Sequence, residues 1–370
     1  MGGPHSIGIV GLGNISRAYL ETLEGMPSIH VAAVADLDAS RAVEVAAELP
    51  AGRALTVPEL LGDEGIDAVL NLTVPGAHAE IALAAIAAGK HVYGEKPLAV
   101  TLEEGRAILD AAAAAGIRVG CAPDTVLGTG TQTARAAIEA GSIGVPTAAS
   151  AMMITPGHER WHPNPDFYYR DGGGPLFDMG PYYIASLLHL LGPVRSVMGA
   201  SVRPLEERLI ESGPREGERV AVEIDTHVTG ILVHRSGALS TLTTSFDGTA
   251  TFAAPIEVHG TAGTLAVPDP NTFAGEVRLF PRGEADWHAV PQAAGYVDSS
   301  RGIGLLDFLE GAGGGSGRAT GALGLHVLEI MVGLTESARS GRWVEVQSTP
   351  EVPPLVPLTD AAEWRSWAGA

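Results

Sequence analysis

Lys96 is the residue whose position in this sequence most directly suggests chemistry. It stands in the triplet Glu95-Lys96-Pro97, directly after the apolar run of residues 91–93. Such a run is typical of a buried parallel strand, and ligands of doubly wound sheets bind beyond the carboxyl ends of strands. Pro97 biases the preceding residue toward extended backbone, which presents the ammonium group from a stiff turn. We therefore expect Lys96 to face a ligand crevice.

A glycine-containing turn near the N-terminus indicates which kind of ligand this crevice binds. Apolar residues 7–10 lead into the run GLGNIS of residues 11–16, after which the pattern becomes helical. In the dinucleotide fingerprint the first glycine permits a tight turn, the second lets the backbone approach a pyrophosphate, and the helix N-terminus supplies unpaired N–H groups. Ser16 stands here at the third glycine. The cofactor contacts predicted in this turn are Gly11, Gly13, Asn14 and Ile15.

Asp36 supports the same interpretation. It follows a second apolar strand, residues 31–34, at about the spacing where the fingerprint places an acidic residue. Its carboxylate would accept hydrogen bonds from both adenosine ribose hydroxyls and would repel a 2′-phosphate. This favours NAD over NADP, although Arg41 keeps NADP possible.

Strands and helices alternate as far as residue 123. Strands are predicted at 67–72 and 117–120, and helices at 77–88 and 101–115. The alternation predicts an α/β fold with a doubly wound parallel sheet. The segment after the 67–72 strand could pass under the nicotinamide half of the cofactor, and His78 is expected to start the helix that follows it. The further cofactor contacts predicted are Thr73, Pro75, His78, Glu95 and Lys96.

The segment of residues 156–169 is rich in histidine and aromatic residues. His158 and His162 have the i, i+4 spacing of a helical metal pair, but prolines in the segment argue against a regular helix, and we expect no metal. The segment could form an aromatic wall with polar donors for a sugar ring, or it could be a surface loop with aromatic anchors. The candidate substrate contacts are His158, Trp161, His162 and Tyr169.

The glycine turn, Asp36, the Thr73-Val74-Pro75 segment with His78 and the run of residues 89–97 together resemble the Gfo/Idh/MocA oxidoreductases. The resemblance covers nearly the whole chain. It implies a Rossmann domain joined to a second α/β domain with a large, mostly antiparallel sheet. It also implies an enzyme that oxidises or reduces a secondary alcohol of a sugar, glycoside or cyclitol with NAD(P), with Lys96 binding substrate and taking part in catalysis.

In that family a glycine run is followed by Asp-x-Gly-x-His, whose aspartate and histidine transfer the proton beside the lysine. The corresponding residues here are Asp178 and Tyr182, so a tyrosine occupies the histidine position. The resemblance makes Lys96, Asp178 and Tyr182 the predicted catalytic and substrate-binding set. Asp178 could also cap the apolar helix predicted at residues 182–191, with Pro181 in its first turn, which would stabilise it by ~1 kcal/mol.

The tyrosine matters because alcohol oxidation needs a group that accepts the hydroxyl proton. Imidazole does this near neutral pH, whereas a phenol is a poor base unless a nearby cation stabilises the phenolate. Three acceptors remain open: Tyr182 tuned by Lys96, Lys96 itself oriented by a carboxylate, or a histidine of the aromatic segment, His158 or His162.

From residue 194 onward the apolar pattern becomes alternating. Strands are predicted at 194–202, 220–233, 238–246, 256–260, 264–267 and 276–280, with a polar loop at 206–218. One face of such a sheet would need another subunit, so we expect a homo-oligomer, a dimer or tetramer. Arg301, before a helix predicted at 303–309, could bind substrate oxygens.

The predicted domains are residues 1–123, which bind NAD(P); residues 124–345, which bind substrate and mediate oligomerisation; and a Pro-rich tail at 346–370. A glycine-rich stretch at 311–317 is interpreted as a linker, and the tail as extended chain with a short helix after Thr359.

Composition limits the classes of binding partner and the cellular compartment that we expect. The formal net charge is −20 and no Lys/Arg cluster interrupts the acidic balance, which argues against a nucleic-acid partner. No apolar run is long enough for a membrane span. A single cysteine and the lack of a signal-peptide pattern predict a cytoplasmic protein, and the high Ala, Gly, Pro and Arg content suggests a bacterial source.

Three functions fit these features. The first is an NAD-dependent dehydrogenase, which the fingerprint together with Lys96 and Asp178 favours. The second is a redox-neutral enzyme that retains NAD and uses transient oxidation for elimination, hydrolysis or epimerisation. The third is a catalytically silent NAD-binding regulator, which the tyrosine at position 182 permits and the presence of Lys96 disfavours.

Overall fold

The computed structural model describes residues 3–50, 52–311 and 317–367. The chain forms two compact units. Unit 1 comprises Met1–Thr129, Ala294–Leu325 and Pro353–Ala370, and unit 2 comprises Gly130–Ala293 and His326–Val352.

The first part of unit 1 alternates strands and helices as predicted. In chain order the elements are β1 (His5–Val10), α1 (Asn14–Leu23), β2 (Ile29–Ala35), α2 (Ala39–Glu48), β3 (Arg53–Ala54), α3 (Val57–Gly62), β4 (Ala68–Asn71), α4 (His78–Ala87), β5 (His91–Gly94), α5 (Leu102–Ala115) and β6 (Val119–Cys121). The strands pair in parallel in the order β3-β2-β1-β4-β5-β6. This is the doubly wound order, whose ligand crevice lies at the reversal between β1 and β4.

Local sequence explains these elements. The buried strands carry near-continuous apolar residues, as expected for strands covered on both faces; Ile7, Ile9 and Leu70 are fully buried. Thr101 caps α5 with a capping box, in which its hydroxyl accepts from the Glu104 N–H at 3.2 Å and the Glu104 carboxylate accepts from the Thr101 N–H at 3.1 Å. Such a cap stabilises a helix start by about 1 kcal/mol.

The rest of the chain forms the elements of unit 2 and those of two further segments of unit 1, residues 294–325 and 353–370. In chain order these elements are α6 (Thr129–Glu139), β7 (Pro146–Ile154), α7 (Gly174–Leu191), β8 (Val194–Val202), β9 (Glu207–Leu209), β10 (Arg219–Ala221), β11 (His227–His234), β12 (Leu239–Ser245), β13 (Ile256–Gly260), β14 (Gly263–Val267), β15 (Val277–Pro281), β16 (His288–Val290), α8 (Ile303–Leu309), α9 (Gly321–Ser340), β17 (Val344–Glu345) and α10 (Ala361–Arg365).

Unit 2 is built on a nine-stranded sheet in the order β16-β15-β14-β13-β7-β12-β11-β8-β17. Only the β7–β12 pair is parallel, so the predicted mainly antiparallel sheet is confirmed. The side chains of β11 alternate between buried and exposed, with Val228 and Leu232 inside and Ile231 outside. On the buried face α9 approaches so closely that a Cβ at Gly230 would lie 2.4 Å from the Leu334 side chain.

The unit limits differ from the predicted domains 1–123, 124–345 and 346–370, because two later segments hydrogen-bond to unit 1. Tyr296 N donates to Leu127 O at 3.0 Å, and Thr359 N donates to Gly295 O at 3.1 Å. The tail is therefore part of unit 1, where the buried Trp364 of α10 donates to Val297 O at 2.9 Å. Most of the predicted linker at 311–317 lies outside the described residues.

Two predictions in unit 2 are wrong. The strand predicted at 220–233 is broken, because β10 forms a separate two-stranded sheet with β9, which lies in the region predicted as a loop. Helix α7 begins at Gly174 rather than 182, so Asp178 lies in its second turn and Gly173 is the N-cap. Asp178 is therefore not the N-cap residue of α7, and Pro181 lies inside the helix. Pro175 in the first turn, which needs no N–H donor, explains the earlier start.

No helix in the described part of the chain is long and apolar enough to cross a membrane.

Candidate cofactor and substrate sites

The glycine turn at the end of β1 is tightly fitted. Gly11 has φ of 92°, a left-handed conformation that favours glycine. A Cβ there would lie 2.7 Å from the backbone of Leu72 and Thr73, at the end of β4. Gly13 is the N-cap of α1, is extended at φ −72° and ψ −172°, and has no neighbouring atom within 4 Å of a built Cβ. The space beyond Gly13 is therefore open to a phosphate group at the helix N-terminus.

Asp36 follows the end of β2, and its carboxylate is hydrogen-bonded to the glycine turn. Its Oδ2 accepts from Leu12 N at 2.7 Å, and its Oδ1 accepts from Asp38 N at 2.8 Å. Oδ2 keeps a lone pair that could accept a ribose hydroxyl. Arg41 reaches Asp36 at 3.5 Å and Asp38 at 3.8 Å, so its charge is shared between two carboxylates.

The segment after β4 is fixed by side chains. Thr73 Oγ1 donates to Asn71 Oδ1 at 2.7 Å, and Asn71 Nδ2 donates to His78 O at 3.0 Å. The buried ring of His78 contacts Thr73 O at 2.9 Å through Nε2 and Pro97 O at 2.7 Å through Nδ1. His78 thus links the Thr73 segment to the turn that carries Lys96, and both of its ring nitrogens are occupied by backbone carbonyls.

Lys96 follows β5 and is partly exposed. The carboxylate of the buried Glu95 accepts from Lys96 N at 3.0 Å and from Tyr19 OH at 2.8 Å. Burial, together with the Glu95 charge, raises the pKa of Tyr19, which keeps the phenol a donor. Because Tyr19 lies on α1, Glu95 joins the glycine-turn helix to the Lys96 turn. The other lysine of the sequence, Lys90, is buried and donates to Asp63 O at 2.6 Å and Ile66 O at 2.8 Å.

Arg301 lies in unit 1, in the turn before α8. It neighbours the fully buried Asp124, whose Oδ2 accepts from Gly302 N at 2.8 Å and Gly304 N at 3.1 Å. Burial raises the pKa of Asp124 to about 6, and the Arg301 charge opposes that rise. Arg301 is therefore involved in the electrostatics of this buried carboxylate, a role that the sequence did not suggest.

In unit 2, His158 and Asp178 form a pair. His158 Nε2 lies 2.9 Å from Asp178 Oδ2, and the two side chains are 11% and 20% exposed. The His158 ring packs against Tyr168 and Phe246, with ring centroids 4.4 Å and 4.5 Å away. Tyr182 lies one turn after Asp178 on α7, hence on the same helix face, and is buried.

The other aromatic-segment residues divide into exposed and buried ones. Trp161 is 59% exposed, whereas Tyr169 is fully buried and donates to the Glu159 carboxylate. His162 Nδ1 accepts from Asn164 N at 3.1 Å, and burial lowers the pKa of its ring. The segment therefore carries exposed aromatic side chains and is anchored by buried ones.

A buried ion-pair network anchors this segment. Arg208 of β9 donates to Glu159 Oε1 at 2.9 Å, to Phe246 O at 3.0 Å and to the Asp247 carboxylate. The Arg208 and Glu159 side chains are 4% and 7% exposed. Sequence reasoning missed Arg208, because an isolated arginine in a polar stretch gives no signal of a partner 49 residues away.

Among the residues that the structure describes, no group of three or more His, Cys, Asp or Glu side chains is suited to a metal ion.

The doubly wound sheet, the open glycine turn and the acidic residue after β2 define unit 1 as a dinucleotide-binding fold, and its residues fit NAD. Residues 5–122 match the model of the oxidoreductase family with an NAD-binding Rossmann fold, and residues 131–266 match that of the GFO/IDH/MocA C-terminal domain.

The chain is 31% identical over 265 residues to 1,5-anhydro-D-fructose reductase of Ensifer adhaerens, covering 70% of this chain and 74% of that protein. It is 28% identical over 275 residues to myo-inositol 2-dehydrogenase of Thermotoga maritima, covering 74% and 75%. A solved NAD binding oxidoreductase of Klebsiella pneumoniae superimposes with a TM-score of 0.81 at 25% identity, covering 93% of this chain and 99% of that one. The chain belongs to the Gfo/Idh/MocA family of NAD-binding oxidoreductases, as the sequence resemblance predicted.

Proposed function

We propose that the protein transfers hydride between NAD(P) and a secondary alcohol or ketone of a sugar, glycoside or cyclitol. The observation that carries this proposal is the set of residues beyond the carboxyl ends of four neighbouring strands. The glycine turn follows β1, Asp36 follows β2, the Thr73 segment follows β4 and Lys96 follows β5. The names of the two relatives, an anhydrosugar reductase and a cyclitol dehydrogenase, support a carbohydrate-like substrate.

The cofactor, when bound, supplies the hydride acceptor or donor. The backbone of the glycine turn would hold its pyrophosphate, Asp36 its adenosine ribose, and the segment of Thr73 and Pro75 its nicotinamide half. Two backbone N–H groups hold the Asp36 carboxylate, and its negative charge lies where a 2′-phosphate would approach, which supports NAD over NADP.

Lys96 would bind the reacting oxygen of the substrate. A cation beside that oxygen stabilises the negative charge that develops as the hydroxyl proton leaves. The buried Glu95 accepts a hydrogen bond from the Lys96 N–H, which fixes the backbone from which the lysine side chain extends. The proposal gives Asp178 and Tyr182 the task of handling the proton, as the family resemblance implies.

The proposal also includes a homo-oligomeric, cytoplasmic protein of bacterial origin. Exposed Ile231 and Thr229 on the open face of the unit 2 sheet support contact with a second copy. The single cysteine, Cys121, is buried and unpaired, as suits a reducing compartment. Sedimentation velocity of the purified protein tests the oligomer, and a monomer at micromolar concentration would contradict it.

The test of the activity is reduced-nicotinamide absorbance when the protein meets NAD or NADP with a panel of hexoses, glycosides, inositols and anhydrosugars. We expect turnover with one substrate group, with NAD preferred, and loss of turnover in Lys96→Ala. Arg17→Ala is the matched control, since it removes an exposed charge from the same unit. Tight NAD binding without net turnover on any substrate would contradict the dehydrogenase and favour a redox-neutral reaction.

A further inference from the structure

We propose that Tyr19 is a positioning residue that, through Glu95, links the helix at the pyrophosphate site to the turn that carries Lys96. The inference deepens the proposed function and rests on it, because that function places the dinucleotide at the N-terminus of α1. It concerns contacts within unit 1 alone. No motif in the sequence marks Tyr19, which lies on the buried face of α1.

Glu95 has a hydrogen-bond donor on each carboxylate oxygen. Oε1 accepts from Tyr19 OH at 2.8 Å, and Oε2 accepts from Lys96 N at 3.0 Å. Tyr19 is fully buried and Glu95 is 7% exposed, so water competes little for these two bonds. A hydrogen bond to a carboxylate is stronger than one between neutral groups, and a buried charged oxygen that loses its donor is destabilised by its full desolvation cost. The two bonds therefore tie the Lys96 backbone to α1.

The same helix begins at the proposed pyrophosphate site. Gly13 is the N-cap of α1, and Tyr19 lies less than two turns further along the helix. Ser16 Oγ donates to Gly13 O at 2.7 Å, which joins the first turn of the helix to its cap. An anion bound to the N–H groups of this first turn restrains it. The restraint reaches the Glu95 carboxylate through the Tyr19 hydroxyl, so dinucleotide binding and the position of the Lys96 backbone are coupled within unit 1.

The hydroxyl and the ring of Tyr19 have separate roles. Burial and the charge of Glu95 raise the pKa of Tyr19, so its hydroxyl keeps its proton and stays a donor toward the carboxylate. The ring packs against the turn before α8, where a Cβ built at Gly302 would lie 3.4 Å from Cδ1 of Tyr19. A phenylalanine would keep this packing and remove only the donor. Tyr19→Phe is therefore a specific test of the hydrogen bond to Glu95.

The two lysines of the sequence allow the test to be made at a single backbone amide. Protein grown with [15N]lysine has two backbone amide signals, those of Lys90 and Lys96, and Lys96→Ala assigns them. Lys96 N donates to Glu95, whereas Lys90 N donates to Ala85 O at 3.0 Å and serves as the internal reference. Hydrogen exchange of both amides is measured with and without saturating ADP. This probe has the adenosine and pyrophosphate of NAD but lacks its nicotinamide half.

We expect Tyr19→Phe to speed exchange of the Lys96 amide by about tenfold or more, the factor that corresponds to loss of one hydrogen bond to a charged group. ADP should slow this exchange by about fivefold or more in the wild type, as for typical coupling between two sites, and should leave it unchanged in Tyr19→Phe. Tyr93→Phe is the matched control. Tyr93 is also fully buried in unit 1, but its hydroxyl has no hydrogen-bond partner among the described residues, so this variant should behave as the wild type does.

The outcomes separate this inference from the proposed function. Equal exchange of the Lys96 amide in Tyr19→Phe and the wild type, or ADP protection that survives in Tyr19→Phe, would overturn the role of Tyr19. If calorimetry detects no binding of ADP or NAD to the wild type, the proposed function fails and the coupling fails with it. Faster exchange at Lys90 would show that Tyr19→Phe has lost its fold. The wild type then decides, because ADP binding without protection of the Lys96 amide overturns the coupling.

Discussion

The two glycines of the β1 turn should respond differently to the same added methyl group. Gly11 has φ of 92°, and a Cβ there would lie 2.7 Å from the Leu72 and Thr73 backbone. The left-handed conformation costs an alanine roughly 1–2 kcal/mol, and overpacking against backbone costs about 1–3 kcal/mol. We expect Gly11→Ala to lower the free energy of unfolding by about 2–5 kcal/mol, because the ends of β1 and β4 must separate.

Gly13→Ala is the matched variant. At φ −72° and ψ −172° an alanine is unstrained, and nothing lies within 4 Å of the new methyl group. Its free energy of unfolding should therefore stay within about 0.5 kcal/mol of the wild type. The methyl group does occupy the approach to the helix N-terminus, so the Kd for NAD should rise about tenfold or more, equivalent to ~1.4 kcal/mol.

Urea unfolding followed by circular dichroism measures the first quantity, and calorimetric titration with NAD measures the second. Gly11→Ala should lose both stability and affinity, and Gly13→Ala affinity alone. Equal stability of Gly11→Ala and the wild type would refute the steric argument. Unchanged NAD affinity in Gly13→Ala would refute the placement of the pyrophosphate at this turn.

Two further predictions concern buried charges. Arg208→Met leaves the buried Glu159 carboxylate and the partly buried Asp247 carboxylate without their cation and should cost about 3–5 kcal/mol of unfolding free energy in urea. Arg219→Met, which removes an exposed ion pair, should cost at most about 1 kcal/mol, and equal costs would contradict the network. Burial raises the pKa of Asp124 to about 6. The negative charge of Glu95 adds to this rise, and the positive charge of Arg301 opposes it. The folded state then binds this proton more tightly than the unfolded state, so stability should fall as pH rises from about 4 to about 6, and Asp124→Asn should remove up to roughly 3 kcal/mol of that fall; parallel pH profiles of the two proteins would contradict this.

The sequence predicted the strands of unit 1 and the residues at their ends well, because each signal there is local. Strand ends, a glycine turn and an acidic residue at fixed spacing follow from the doubly wound fold, and the structure has Gly11, Asp36 and Lys96 at the ends of β1, β2 and β5. Contacts between distant segments gave no such signal. Tyr19 on α1 donates to Glu95, 76 residues away, and no periodicity announces that bond.

Residues 156–169 of unit 2 show the same limit. The sequence indicated that they form a loop with two candidate histidines, but it could not show that His158 contacts Asp178, 20 residues further on. That contact depends on a helix that begins eight residues earlier than predicted. The unit limits were missed for a related reason, since residues 294–325 and the tail return to unit 1 through backbone pairing and contacts such as that of Asp124 with Gly302 N, which join distant parts of the sequence.

The near absence of lysine makes selective chemical labelling of one side chain of this protein possible. Of its two lysines, Lys90 is 4% exposed with its ammonium group on two carbonyls, whereas Lys96 is partly exposed. An aldehyde with borohydride should therefore modify the side chain of Lys96 faster than that of Lys90, at the place where the proposed substrate binds. A fluorophore placed there would report occupancy directly, and the protection that each candidate sugar gives against labelling would rank substrates without any turnover.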